Sequence, residues 1–217
     1  MICKHTYLIP SGDKCFCLNC KQYIDKPKEE DSHELVIPPR IYKLSPQLWE
    51  SVRPWKTITT TLATSFGWYI TLITMEDYLI MPIYKNGQMV FYSARRLTGR
   101  GMKYLYPTGV QKKYFQSSDT LVSPIFICEG VADAVYMSQF GSSIAVLGSY
   151  YDGSLDSSLL GHDCYIVFDG DAAGMVAGIR LASQIKAKMI VLPNGKDPTD
   201  LSISEMKELV CQYRILS

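Results

Sequence analysis

The chain has 217 residues, 47% of them apolar and 20% charged, with a net charge of +1 and seven cysteines. That length can bury a sizeable core and hold more than one domain, and the composition excludes a disordered or fibrous chain. No apolar run approaches the roughly 18 residues that a membrane span needs, and MICKHTYLIPSGDKC lacks a signal core, so a cytoplasmic protein with no membrane partner and no disulfides is expected.

Residues 1–24 are expected to form a zinc-binding module. Cys3, His5, Cys15, Cys17 and Cys20 fall within eighteen residues. Tetrahedral zinc needs four nitrogen or sulfur ligands. Cys17-x-x-Cys20 supplies one half-site and Cys3-x-His5 the other, with Cys15 the spare or a substitute for one of the four. A hairpin this small cannot bury a core, so Zn²⁺ would hold it together. Residues 25–40 open with the polar DKPKEEDSHE and end in VIPPR, which reads as an extended linker.

Residues 41–122 are expected to form a basic, β-rich lobe. SPQLWESVRP (45–54) predicts a short helix opened by Ser45, with Pro46 in its first turn. DYLIMPIY and QMVFYSARRL flank Lys85-Asn86-Gly87, a hairpin signal because Asn and Gly tolerate positive φ. Residues 78–118 hold seven cations, eight aromatics and no acid, whereas residues 119–217 hold six basic and twelve acidic side chains. Cations hold phosphates and aromatics stack on unpaired bases. Strand alternation predicts that the aromatics form a core and the cations face solvent and nucleic acid.

Residues 123–217 alternate strand and helix: PIFIC, VADAVYMSQFG, SIAVLGS, SLDSSLL, CYIVFD, AAGMVAGIRLASQIKA, KMIVLP and SISEMKELVCQYRI. This order predicts an α/β fold, a mostly parallel sheet with helices on both faces. Cys128, Cys164 and Cys211 are expected in its core. His33 and His162 have no partner that the sequence identifies.

Three of these strands end in acid: Glu129 after IFIC, Asp169 and Asp171 after YIVF, and Asp197 after KMIVL. Ligands gather at the carboxyl ends of parallel strands, which lie about 5 Å apart. Carboxylates so placed repel one another unless a cation lies between them. Hard oxygen donors of this kind suit Mg²⁺ or Mn²⁺, which activates an attacking oxygen and neutralises phosphate charge.

EGVAD (129–133), FDGDAAG (168–174) and GKDPTD (195–200) resemble the three signatures of the Toprim domain, shared by bacterial-type primases, type IA and type II topoisomerases, some nucleases and recombination mediators. The resemblance implies a Toprim-like sheet in which Glu129 is the general acid/base or a metal-linked carboxylate, and Asp169 and Asp171 are metal ligands. Asp197 resembles the further acid of primases and Asp133 their second EGxxD acid. Thr199 stands where primases often carry another acid, with Asp200 next. LIMPIYKNGQMVFYSARRLTGRGMKYLYPTG resembles the segment that precedes this unit in primases and that topoisomerases lack. It implies phosphate-holding roles for Arg95 and Lys103, with Arg96 adjoining Arg95; Lys196, one residue before Asp197, is placed either to touch phosphate or as a solvated loop lysine. The N-terminal cysteines resemble the zinc module of primases in position and ligand type.

The resemblance implies a compact bacterial- or phage-type primase that makes RNA primers on single-stranded DNA from ribonucleoside triphosphates. No GxxxxGK[ST] loop is present, so a replicative helicase is expected as a separate partner. A Toprim nuclease and a non-catalytic nucleic-acid-binding module are the alternatives.

Overall fold

The computed structural model describes residues 8–11, 14–17, 21–25, 35–73, 75–148, 153 and 156–213. The chain divides into two compact units, one holding the residues up to Val52 with Ala63–Lys113, the other Arg53–Leu62 with Tyr114 onward. The second unit therefore starts earlier than the expected residue 123 and also takes in a ten-residue stretch from upstream.

Near the N-terminus β1 (Leu8–Ser11), β2 (Lys14–Cys17) and β3 (Tyr23–Asp25) form an antiparallel meander, with Leu8 opposite Cys17 and Cys15 opposite Ile24. Cys3, His5 and Cys20 lie outside the described residues, as do the side chains of Cys15 and Cys17, so the expected zinc set falls there too.

The main sheet of the first unit begins at β4 (Tyr42–Lys43), and α1 (Pro46–Val52) follows. Ser45 opens α1 as expected: its Oγ accepts from Leu48 N at 3.1 Å, and Pro46 sits where a helix has no partner for an N–H. A further helix, α2 (Thr60–Ser65), was not foreseen; Thr59 Oγ1 caps it by accepting from Leu62 N at 3.1 Å. Then β5 (Tyr69–Ile73), β6 (Glu76–Lys85), β7 (Gln88–Arg96) and β8 (Tyr104–Leu105) complete an antiparallel sheet ordered β4-β5-β6-β7-β8. The predicted turn between β6 and β7 forms, with φ of 52° at Asn86 and 75° at Gly87.

Tyr69, Ile73, Tyr78, Ile80, Tyr92, Ala94 and Leu105 form one core cluster of this unit. Each fully buried apolar side chain contributes about 2 kcal/mol. The expected division of aromatics from cations by sheet face is not what forms. Leu79, Ile80, Met81 and Ile83 are all buried, so both faces of β6 are covered. The division instead runs along the strands. The aromatics Tyr78, Phe91 and Tyr92 lie mid-sheet, while Lys85, Arg95, Arg96, Arg100 and Lys103 lie at strand ends and loops. A central strand has no solvent face for a charge, so its termini carry the charges.

The second unit is built on β9 (Phe115–Gln116), β10 (Ile125–Cys128), β11 (Ser142–Ala145), β12 (Cys164–Ile166) and β13 (Lys188–Met189). Their order is β13-β12-β10-β11-β9, parallel except for β9, which runs antiparallel to β11 at the edge. This pairing draws residues 115–116 into the unit. The helices are α3 (Val131–Met137), α4 (Asp156–Leu159), α5 (Ala172–Ile185) and α6 (Ile203–Gln212). Ile125, Ile127, Ile144 and Ile166 pack with Leu181 and Ala177 of α5. On the opposite face Ser143 Oγ donates to Ala134 O of α3 at 2.6 Å. Helices thus cover both faces, as alternation along strands requires.

Cys128 is buried as expected and Cys164 partly so, but Cys211 is exposed. In α6 only Met206 and Val210 are buried, and Cys211 falls on the other side of the helix. Among the described residues no helix is long and apolar enough to cross a membrane.

Candidate active site

The parallel strands β10, β12 and β13 all end toward one edge, and the acids lie just beyond them. Glu129 follows β10, and Leu147 N donates to its carbonyl at 2.9 Å. Val167 N donates to Ile127 O at 2.8 Å, extending β12 alongside β10 up to Phe168 and Asp169. The turn after it is tied to the turn after β13: Gly170 N donates to Lys196 O at 2.8 Å and Gly195 N to Gly170 O at 3.0 Å. Backbone bonds therefore bring the Asp169–Asp171 and Asp197 segments together.

Helix α5 approaches this edge closely. A Cβ at Gly174 would overlap the carbonyl oxygen of Asp169, so only glycine fits. Asp171 is the N-cap of α5, its Oδ1 accepting from Gly174 N at 2.7 Å. This is a structural duty that the sequence reading did not assign. Asp171→Ala is expected to lower stability by about 1 kcal/mol and Asp171→Asn to leave it nearly unchanged, read by urea unfolding.

The carboxyls perturb one another. Burial pushes Asp169 up to about 7, helped by the negative charges of Asp197, Glu129 and Asp171 and by a hydrogen bond to Asp197. Glu129 is raised by burial and then by Asp171 and Asp197. Among the described residues, the charges that raise these two groups are all carboxylates. Asp133 lies deeper, in the first turn of α3. Burial pushes it up to about 8, with Asp169 and Asp197 adding to the effect and hydrogen bonds from Thr199 opposing it.

Thr199 was noted in the sequence only for lacking a carboxyl. Its Oγ1 lies 3.4 Å from Asp133 Oδ1, and its carbonyl accepts from Thr57 Oγ1 at 2.6 Å. This bond joins residues 142 positions apart and docks the 53–62 stretch onto the Asp197 loop. No local motif signals such a contact. Asp200 turns back on its own loop, its Oδ2 accepting from Asp197 N at 3.1 Å. Lys196 is exposed, and its charge acts on Glu205.

The donor set is all carboxylate oxygen, which fits a hard divalent ion that keeps several of its own waters. Among the described residues no three acid, histidine or cysteine side chains are closed around a single point as a finished metal cage. The fit rests on convergence and mutual repulsion.

In the first unit Arg95 Nη1 donates to Tyr104 OH at 2.8 Å, and its guanidinium stands 5.3 Å from the Tyr104 ring centre. Lys103 Nζ stands 5.7 Å from the same ring. Two of the predicted phosphate-holding cations thus share one aromatic. Arg96, also predicted to hold phosphate, is paired with Glu76 at 3.0 Å and with Tyr78.

No family model matches the chain, and no curated protein matches it in sequence. Solved structures do match in shape. The primase fragment of the bacteriophage T7 primase-helicase protein is 16% identical with a TM-score of 0.59, covering 94% of this chain and 93% of that one. The Aquifex aeolicus primase (zinc-binding and RNA polymerase domains) is 16% identical with a TM-score of 0.61, and covers 77% of this chain. This chain spans 56% of that structure's length. The E. coli primase catalytic core is 16% identical with a TM-score of 0.57, covering 76% of this chain and 72% of that one. The chain therefore has the fold of bacterial and phage primase catalytic cores.

Proposed function

We propose that the chain is a primase that joins ribonucleotides on a single-stranded DNA template, a metal-dependent nucleotidyltransferase with a Toprim-type site. The observation that carries this reading is the convergence of Glu129, Asp169, Asp171 and Asp197 at the carboxyl edge of the parallel sheet, in a chain with the fold of primase cores. A binding module has no use for clustered acids beside nucleic-acid phosphates.

In the proposed reaction a primer 3′-hydroxyl attacks the α-phosphate of a ribonucleoside triphosphate and pyrophosphate leaves. Mg²⁺ or Mn²⁺, held by Glu129, Asp169, Asp171 and Asp197, would neutralise triphosphate charge and activate the attacking oxygen. Glu129, at the end of β10, would serve either as a ligand of that ion or as the base that accepts the proton from the hydroxyl. Asp133, bound to Thr199 behind the site, holds the Asp197 loop in place. Arg95 and Lys103 are suited to hold template or triphosphate phosphates. Zinc at Cys3, His5, Cys17 and Cys20 is proposed on sequence grounds. A helicase is the proposed partner, a reading that the T7 neighbour, a fragment of a primase-helicase, supports.

The test mixes purified protein with single-stranded DNA, labelled ribonucleotides and Mg²⁺ or Mn²⁺. Short labelled oligomers are the expected result. Strand cleavage instead would make the chain a nuclease, and neither product with retained DNA binding would make it a binding module.

A further inference from the structure

The segment Thr98–Lys103, TGRGMK, joins β7 to β8 and leaves Arg100 and Lys103 exposed. A short loop with two glycines is slack unless something fixes it. Here the base is closed by Arg96 N donating to Lys103 O at 3.0 Å and Leu97 N to Asp77 O at 2.8 Å. Asp77 N also donates to Thr98 Oγ1 at 3.0 Å.

An ion pair lies under the loop. Arg96 Nε is 3.0 Å from Glu76 Oε2 and 3.0 Å from Tyr78 OH, and the guanidinium stands 5.6 Å from the Tyr78 ring centre. The pair is largely withdrawn from water, with the Arg96 side chain 10% exposed and that of Glu76 29%. Both glycines rest on it. A Cβ at Gly99 would overlap the Glu76 carboxylate, and one at Gly101 would lie 2.6 Å from Nη1 and Nη2 of Arg96. Their φ values, 82° and 133°, also favour glycine. The sequence places Arg96 among the phosphate contacts, but in the fold it points inward and props the loop. Arg100, which that reading left without a role, is presented outward.

We propose that this loop grips phosphate groups of single-stranded nucleic acid through Arg100 together with Lys103, and that Glu76 and Arg96 are positioning residues that fix its shape. Cations on a preshaped loop lose less freedom on binding than cations on a slack one. The segment from 78 to 118 carries no acid; of the two acids just before it, Glu76 lies beneath the loop paired with Arg96 and Asp77 is at the loop's base. The ligand class rests on the primase reading, but the test below reads binding alone.

The probe is a fluorescein-labelled oligothymidine, titrated by anisotropy across a range of NaCl. Arg100→Ala is expected to weaken binding about three- to tenfold at low salt and to flatten the salt slope by about 0.7, one phosphate contact on a single strand. Glu76→Gln separates shape from charge. Removing a negative charge near a polyanion site should tighten binding if Coulomb forces alone act. The positioning role instead predicts binding weaker by about threefold or more, with partial recovery in Glu76→Asp. Gly101→Ala keeps every charge and is expected to weaken binding likewise; it decides the point if Glu76→Gln fails to fold. Unchanged or tighter binding in a folded Glu76→Gln or in Gly101→Ala would overturn the positioning role. An unchanged affinity and slope in Arg100→Ala would overturn the grip. These binding losses in a chain that makes no primers would remove the polymerase reading and leave this one standing.

Discussion

An Asp169→Asn chain is expected to lose primer synthesis by about a thousandfold or more while unfolding at the same urea midpoint as its parent, or at a higher one. Both results have one cause. Asp169 is partly buried and sits among Asp197, Glu129 and Asp171, each of which disfavours its charge. The metal-free fold gains nothing from ionising it. Asparagine keeps the shape, removes the charge and still bonds to Asp197. What it cannot do is add a negative oxygen to the cluster that would hold a divalent ion against the triphosphate. Labelled-oligomer yield and a urea curve on the same preparation read the two effects together. A midpoint loss worth more than about 1 kcal/mol would make the carboxylate structural, and the catalytic reading of this edge would fail.

The contrast with Asp171, two residues on, shows why the acids are not interchangeable. From the sequence both read alike, as repelling carboxylates at a strand end. In the fold Asp171 caps α5 and Asp169 caps nothing, so truncation costs stability at one and not at the other. The sequence carried the strand-end acids because a strand's apolar run and its terminal Asp-Gly are local signals. The KNG hairpin and the Ser45-Pro46 helix start were legible for the same reason. What could not be read was non-local. Strand β9 joins the second sheet through a two-residue pairing with β11, and Thr57 reaches Thr199 across most of the chain. Arg96 looked like its neighbour Arg95 until Glu76, twenty positions earlier, was seen beneath it. Adjacent residues on a strand point to opposite sides, so an Arg-Arg pair rarely shares one job.

In EDTA the chain is expected to lose several kcal/mol of stability as pH rises from about 4 to about 8, and Mg²⁺ is expected to flatten that loss. In the unfolded chain Asp133 and Asp169 release their protons near the ordinary value of 3.8, but in the fold they hold them up to about 8 and about 7. Between those limits the native state binds more protons than the unfolded one, so raising the pH favours unfolding. The contribution is complete below about 4 and lost as pH passes through the folded values. Glu205, lowered by its bonds from Ser202, works in the opposite sense, but only below its ordinary value of 4.5 and so outside most of this window. A divalent ion that binds only the ionised native cluster adds stability where the protons have left. Asp169→Asn should therefore remove part of the slope in EDTA and most of the response to Mg²⁺. Asp133→Asn should lower the slope across the whole window and abolish it above about pH 7, yet keep the Mg²⁺ response, because Asp133 is spent on Thr199 rather than on the ion. Urea unfolding of the parent and both variants at several pH values, with and without Mg²⁺, reads all six curves. Stability that climbed with pH in EDTA would mean that the fold already neutralises these acids by itself, and the reading of this edge as a cation site would fail.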